Sequence, residues 1–236
     1  MKKIANLLLL ASLSFAQVNV SFIVGQTPKV EKSITYKGTK NYLRSDFDIE
    51  KFDEVGLKIS VKKENFPGFF IDYYYFNSST QLNVLKRNII IDDLTYSAGD
   101  SVKTRIYMHH INAGVFYRMK ADTNIFDIGF GFYTVLGNFY IRDANQYTNL
   151  DFDFYYPSLF LKYNKSFSRF NVGGSFFRSI RDDNVYNLNL YVGCEFQNKW
   201  FFNIGYNRIR MNIDDYDEWS SKITASGIFA QIGKKF

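Results

Sequence analysis

The sequence predicts an all-β chain: a closed, antiparallel, up-and-down β-barrel that crosses a membrane. Ten strands fit the pattern best, with eight or twelve as the neighbouring solutions. Three observations lead there. Apolar and polar residues alternate along most of the chain, which marks strands with two unlike faces. The connections between these stretches switch between short and long, as in barrels with tight turns at one end and loops at the other. After the first sixteen residues, no run of some twenty apolar residues offers a membrane helix.

The alternating rows can be read in order. Val18, Val20, Phe22 and Val24 are apolar, with Asn19 and Ser21 between them. Val55, Leu57, Ile59 and Val61 oppose Lys58, Ser60 and Lys62. Phe69, Ile71, Tyr73 and Tyr75 form the third row. In the fourth, Tyr107, Ile111, Ala113, Val115 and Tyr117 share a face opposite His110, Asn112, Gly114 and Arg118. Phe126 to Phe132 alternate with Asp127, Gly129 and Gly131, and Tyr155 to Tyr163 with Ser158 and Lys162. Phe170, Val172 and Phe176 follow, then Leu188 to Phe196, then Trp200 to Tyr206. The tenth row is 228–236. Many segments approach the roughly ten residues that a tilted strand needs to cross a bilayer.

The short connections are 65–68, 120–124, 166–168 and 197–199. The long polar ones are 26–53, 77–103, 137–152 and 212–221, and 181–184 is a short member of that second set. Residues 86–96 have the character of an external hairpin, and 137–142 could extend the neighbouring strand. Tyrosines bracket apolar rows, Tyr107 with Tyr117 and Tyr155 with Tyr163, as interfacial girdles do.

Composition narrows the class. The chain has 236 residues, 46% hydrophobic and 19% aromatic, with only 3 prolines, so it has enough apolar surface to avoid disorder. A single domain is expected at this length. Residues 1–16 read as a secretory signal: Lys2 and Lys3 supply the positive start, Ile4 to Leu13 the apolar run, and Ser14-Phe15-Ala16 the small residues for cleavage between Ala16 and Gln17. Residues 17–236 are then the barrel domain. Without Lys2 and Lys3 the chain carries 27 basic and 23 acidic side chains, a net charge of +4. That mild excess forms no basic stripe, so no nucleic-acid partner is expected. Cys194 is the single cysteine, which rules out an internal disulfide or a cysteine metal cluster. It lies between Val192 and Phe196 as a small apolar residue.

Together these features resemble the small outer-membrane β-barrel proteins of Gram-negative bacteria, the porin-like and OmpA-like barrel superfamily. The C-terminal segment is the most specific element. Phe236, Ile232, Ala230 and Ile228 match the family's terminal aromatic with alternating apolar residues, and Lys234 departs from it. The resemblance implies residence in the cell outer membrane, contact with outer-membrane lipid and lipopolysaccharide, and recognition of that segment by the barrel-assembly machinery.

Little in the sequence suggests catalysis. The two histidines, His109 and His110, are adjacent, so at most one faces the lumen, His110 by its row. The Ser and His pairs of lipid-A-modifying barrels and the acidic pairs of omptin-like proteases have no counterpart, so no enzyme activity, cofactor or metal is expected. Asp92-Asp93 and Asp214-Asp215 read as solvated loop pairs. Asp214, Asp215, Asp217 and Glu218 lack the spacing and glycine of an EF-hand loop. The rows assign Lys58, Lys62, Asp72, Arg118, Asp127, Lys162 and Glu195 to the lumen.

Two functions follow. The first is a structural anchor that displays external loops, chiefly 26–53 and 77–103, to an extracellular ligand or for envelope integrity. The second is a small porin-like channel with a narrow polar lumen and mild anion preference, in which Lys58, Lys62, Arg118 and Lys162 would set selectivity. Narrow barrels are filled by their own side chains, and open aqueous channels belong to wider ones.

Overall fold

The computed structural model describes residues 17–36, 39–63, 66–80, 82–180, 185–216 and 219–236. The predicted signal segment, with Ala16, and the connection 181–184 lie outside the described residues, as do Asp217 and Glu218. Ten strands form the barrel: β1 (Gln17–Tyr36), β3 (Phe52–Lys62), β4 (Gly68–Ser79), β8 (Ser101–Ala121), β9 (Asn124–Arg142), β10 (Tyr147–Phe167), β11 (Phe170–Ser179), β12 (Tyr186–Glu195), β13 (Trp200–Tyr216) and β14 (Trp219–Lys235). Each pairs antiparallel with its neighbour, and β14 pairs with β1 to close the ring. The closure runs from Asn19 opposite Lys235 to Tyr36 opposite Trp219, with a register shift between Gln26 and Lys29. The Phe236 N–H continues it by donating to the Val18 carbonyl at 2.7 Å. All ten predicted rows are barrel strands.

Alternation decides which way each side chain points. The predicted apolar rows face outward. Phe22, Val55, Phe69, Tyr117, Leu159, Val192, Ile204 and Ile228 are exposed, and Phe130 and Phe132 are each 65% exposed. A soluble protein would not leave so continuous an apolar belt in water, whereas a bilayer requires one. Among the described residues no helix is long and apolar enough to cross a membrane. Lys234 is also on this outer face, at the short-turn end. Its ammonium lies 5.5 Å from the Trp200 ring centroid and 5.1 Å from that of Phe236. A lysine there packs its stem and charge over aromatic rings at the lipid boundary.

The strands are longer than the alternation alone suggests. All four long connections contain paired backbone. β9 and β10 continue past the belt as a hairpin to Arg142 and Tyr147. The polar outer row from Tyr147 to Asp153 extends about 20 Å along the strand. Residues 26–36 belong to β1, and β2 (Thr39–Tyr42) folds back on them. The expected hairpin within 86–96 is present as β6 (Ile89–Ile91) and β7 (Leu94–Tyr96), and β5 (Asn83–Val84) pairs with β8. A short helix, α1 (Leu43–Phe47), leads into β3.

The inner face departs from the simple polar expectation. It is crowded with rings, among them Phe70, Tyr74, Phe76, Phe116, Tyr133, Phe152, Phe154, Tyr156, Phe160 and Phe177. Inward glycines make room for several. Gly68 sits directly opposite Phe116, Gly137 opposite Phe152, Gly173 opposite Tyr191, Gly205 opposite Phe229 and Gly233 opposite Phe201. In each case a Cβ on the glycine would fall within 2.6 Å of the partner ring or its hydroxyl. These glycines are spaces filled by the opposing aromatic across the ladder.

Candidate functional site

The lumen has two compartments of opposite character. The loop end is apolar. Leu43 and Phe47 of α1, Ile49, Leu85, and Ile89, Ile91 and Tyr96 of the hairpin are all buried. They pack in one cluster with Phe52, Tyr74, Phe76, Ile106, Val135, Phe139 and Ile141 of the barrel wall. Phe47 meets Phe139 edge-on at 5.1 Å between ring centroids. Each such fully buried side chain contributes about 1.5–3 kcal/mol. The loops thus fold into the mouth and close it with an apolar cap.

Polar contacts fix the cap. The Asp46 carboxylate, buried on α1, accepts from Arg87 Nε at 3.1 Å, from Arg87 Nη2 at 2.6 Å and from the Tyr42 N–H at 2.7 Å. Arg87 also donates to the Lys40 carbonyl at 2.7 Å, and Asn83 to that of Asp46 at 2.8 Å. Burial pushes the Asp46 carboxyl up, but the Arg87 guanidinium and the Tyr42 N–H outweigh it and hold it below its ordinary value. Thr104 Oγ1 donates to the Phe47 carbonyl at 3.2 Å. Tyr96 donates to Thr148 Oγ1 at 2.9 Å, joining the hairpin to β10. Asp92 and Asp93 both take positive φ at the hairpin tip between Ile91 and Leu94. That is the backbone a two-residue primed turn needs, and it accounts for an acidic pair there.

The short-turn end holds a polar chamber of about 170 Å³. Of the lumen charges expected from sequence, Lys58, Asp72, Arg118, Asp127 and Lys162 line it. Arg118 grips Asp127 with both ends of its fork, Nε to Oδ1 at 2.7 Å and Nη2 to Oδ2 at 2.9 Å. Lys58 is 3.6 Å from Asp72. Lys62 turns away to donate to the carbonyls of Lys63, at 2.6 Å, and Phe66 in the adjoining turn. Glu195 is paired with Lys235 at the chamber's edge. Toward the loop end, Phe70, Phe116, Phe160 and Phe177 pack together, with Phe70 and Phe160 centroids 4.5 Å apart. Three of these rings form part of the chamber wall.

Both histidines are bound to tyrosine hydroxyls. His109 lies on the outer face with Tyr73 OH 2.9 Å from its Nδ1, and His110 is buried inside with Tyr133 OH against its Nδ1. Among the described residues no group of three or more His, Cys, Asp or Glu is placed to hold a metal ion. The side chains of Asp214 and Asp215, like all of Asp217 and Glu218, are outside the described residues. Ile228 and Ile232 face outward on β14, as does the exposed ring of Phe236, and Ala230 is half-buried between them.

No protein-family model and no curated relative matches the sequence. Comparison with solved structures is informative. The outer membrane protease OmpT of Escherichia coli has 10% identity and a TM-score of 0.59, over 94% of this chain and 96% of that one. The chain has the outer-membrane β-barrel fold. The attachment invasion locus protein Ail of Yersinia pestis also matches, with 9% identity and a TM-score of 0.39, over 90% of this chain and 97% of that one. As an outer-membrane barrel, the protein meets lipid through the apolar belt, and its two water-facing ends are the capped mouth and the charged chamber.

The sequence reading missed the cap. Its signal lies in runs such as Tyr73-Tyr74-Tyr75-Phe76 and Phe152-Asp153-Phe154-Tyr155-Tyr156, where aromatic residues occupy both parities. A strand apolar on both faces is covered on both.

Proposed function

We propose that the protein is a non-conducting outer-membrane anchor that presents its loop-end rim at the cell surface. The observation that carries this reading is the apolar cap: α1 and the β6–β7 hairpin fill the mouth through which a solute would have to pass. Water and ions do not cross a packed apolar core of this kind. What faces outward is a rim built from the β6–β7 tip, the β9–β10 hairpin and β2. Exposed Ile90 and Tyr147 project from it. Because Asp46, Arg87, Asn83 and Tyr96 fix the loops to each other and to the wall, the rim is a preorganised surface, which favours recognition.

The outer wall supports a lipid partner. Arg178, Arg208 and Arg210 stand on the outward rows just beyond Tyr206 and Leu190, where β11, β12 and β13 leave the belt. Arg178 and Arg210 flank Tyr186 in one row. Guanidinium groups at that height meet the phosphates of lipopolysaccharide. No catalytic role is assigned; each imidazole has a tyrosine hydroxyl at its Nδ1. The fold it shares with a protease carries no activity by itself.

The display reading is tested by inserting an epitope tag between Asp92 and Asp93, and separately between Asp122 and Thr123. Antibody should label intact cells carrying the first insertion, and label the second only after the outer membrane is permeabilised. The reverse pattern would overturn the reading.

A further inference from the structure

We propose that the chamber at the short-turn end binds a small tetrahedral oxyanion, of the phosphate or sulfate type, drawn from the periplasmic water, with Lys162 as its principal ligand. The proposal does not depend on the role of the loop rim.

Charge comes first. Lys58, Arg118, Lys162 and Lys235 meet Asp72 and Asp127 within one cavity, four positive groups against two negative. Asp127 lies directly between Arg118 and Lys162 across the ladder, yet Arg118 occupies both of its oxygens. Asp72 is beside Lys58. Lys162 is left with no hydrogen bond or ion pair among the described residues. Another interior carboxylate, Glu54, does not line the chamber, and Asn207 Nδ2 donates to its two oxygens at 3.0 and 3.1 Å. Lys235 is held by Glu195. A half-buried ammonium group that faces only carboxylates already held by other cations favours an anion beside it.

The lining adds neutral hydrogen-bonding side chains, among them Asn19, Ser60, Asn171 and Ser175, which suit an oxyanion better than a bare halide.

Size and access agree. A water occupies about 30 Å³ in the liquid, so 170 Å³ holds a tetrahedral oxyanion with a few waters. The lining includes Gln17, Ser166 and Asn171 at the strand ends, so the chamber opens toward the short turns while the cap closes the other end. The barrel wall separates it from lipid headgroups, which leaves a free anion as the source.

The test is calorimetric titration of the refolded barrel in detergent micelles with inorganic phosphate, with sulfate and chloride at matched ionic strength. Phosphate and sulfate should bind saturably, and chloride about tenfold more weakly, since a halide cannot bridge several donors. Lys162→Met should weaken phosphate binding about tenfold or more, and Lys162→Arg should retain it. Asp72→Asn frees Lys58 and should tighten binding, a gain that loss of folding cannot mimic. No saturable phosphate binding, or an affinity unmoved by both Lys162→Met and Asp72→Asn, overturns the proposal. Chloride binding as tight as phosphate overturns the assignment to a tetrahedral oxyanion.

Discussion

Arg87→Ala should open the cap without unfolding the barrel. The substitution removes two hydrogen bonds to the Asp46 carboxylate and one to the Lys40 carbonyl. The Asp46 side chain is only 6% exposed, so its charge is left with the Tyr42 N–H and the longer 3.4 Å contact from Ser45 Oγ. Hydrogen bonds to charged groups contribute about 1.5–3 kcal/mol each when buried. The Arg87 side chain is 45% exposed, so solvent screens its share, and we set the total at about 2 kcal/mol. That is roughly a thirtyfold rise in the opening constant of the loops. Hydrogen exchange reads it at two amides, Tyr42 N–H, which donates to Asp46, and Ile49 N–H, which donates to the Leu43 carbonyl at 2.9 Å. Both should exchange about thirtyfold faster while β8, β9 and β10 keep their protection. Wild-type exchange at both amides, or equal acceleration throughout the barrel, would refute the reasoning. Acid should act in the same direction. The Asp46 carboxyl is held below its ordinary value, so its contribution is fully present above about 3.9 and is lost as pH falls through the lower folded value.

Two further substitutions test the belt and the chamber. Phe130→Arg places a charge on the outward face and should cost about 2–4 kcal/mol, whereas Asp153→Arg, beyond the belt, should cost about 0–1 kcal/mol. Urea unfolding in phospholipid vesicles measures both. Arg118→Leu leaves Asp127, 2% exposed, without its fork partner and should cost about 3–5 kcal/mol, most of it recovered in the double variant with Asp127→Leu. Equal losses in the single and double variants would show that the pair itself, rather than the stranded carboxylate, carries the effect.

The wall was legible because lipid imposes a simple rule. Every outward position in the belt must be apolar, so Phe126, Ile128, Phe130 and Phe132 stand out against Asp127, Gly129 and Gly131. The short turns were legible for the same reason, as breaks in the rows. The chamber charges were legible as the opposite parity of those rows, down to Arg118 facing Asp127 across β8 and β9. The cap was not. It is built from contacts between residues far apart in sequence, such as Phe47 with Phe139 and Tyr96 with Thr148. No period announces a loop that folds inward, and Leu43, Phe47, Ile89 and Ile91 read as ordinary apolar residues in a polar connection. The role of Gly68, Gly137, Gly173, Gly205 and Gly233 also depends on register, since it is the ring directly opposite that fills each space.

The central claim is that the apolar cap closes the lumen, and single-channel recording of refolded residues 17–236 in a planar bilayer tests it most directly. A folded, inserted barrel should give no conductance steps in symmetric salt, because the packing of α1 and the hairpin against Phe139, Ile141 and Phe76 leaves no path for a hydrated ion. Stable steps whose ion preference changes when Lys58 or Lys162 becomes glutamate would contradict the account and make the protein a channel.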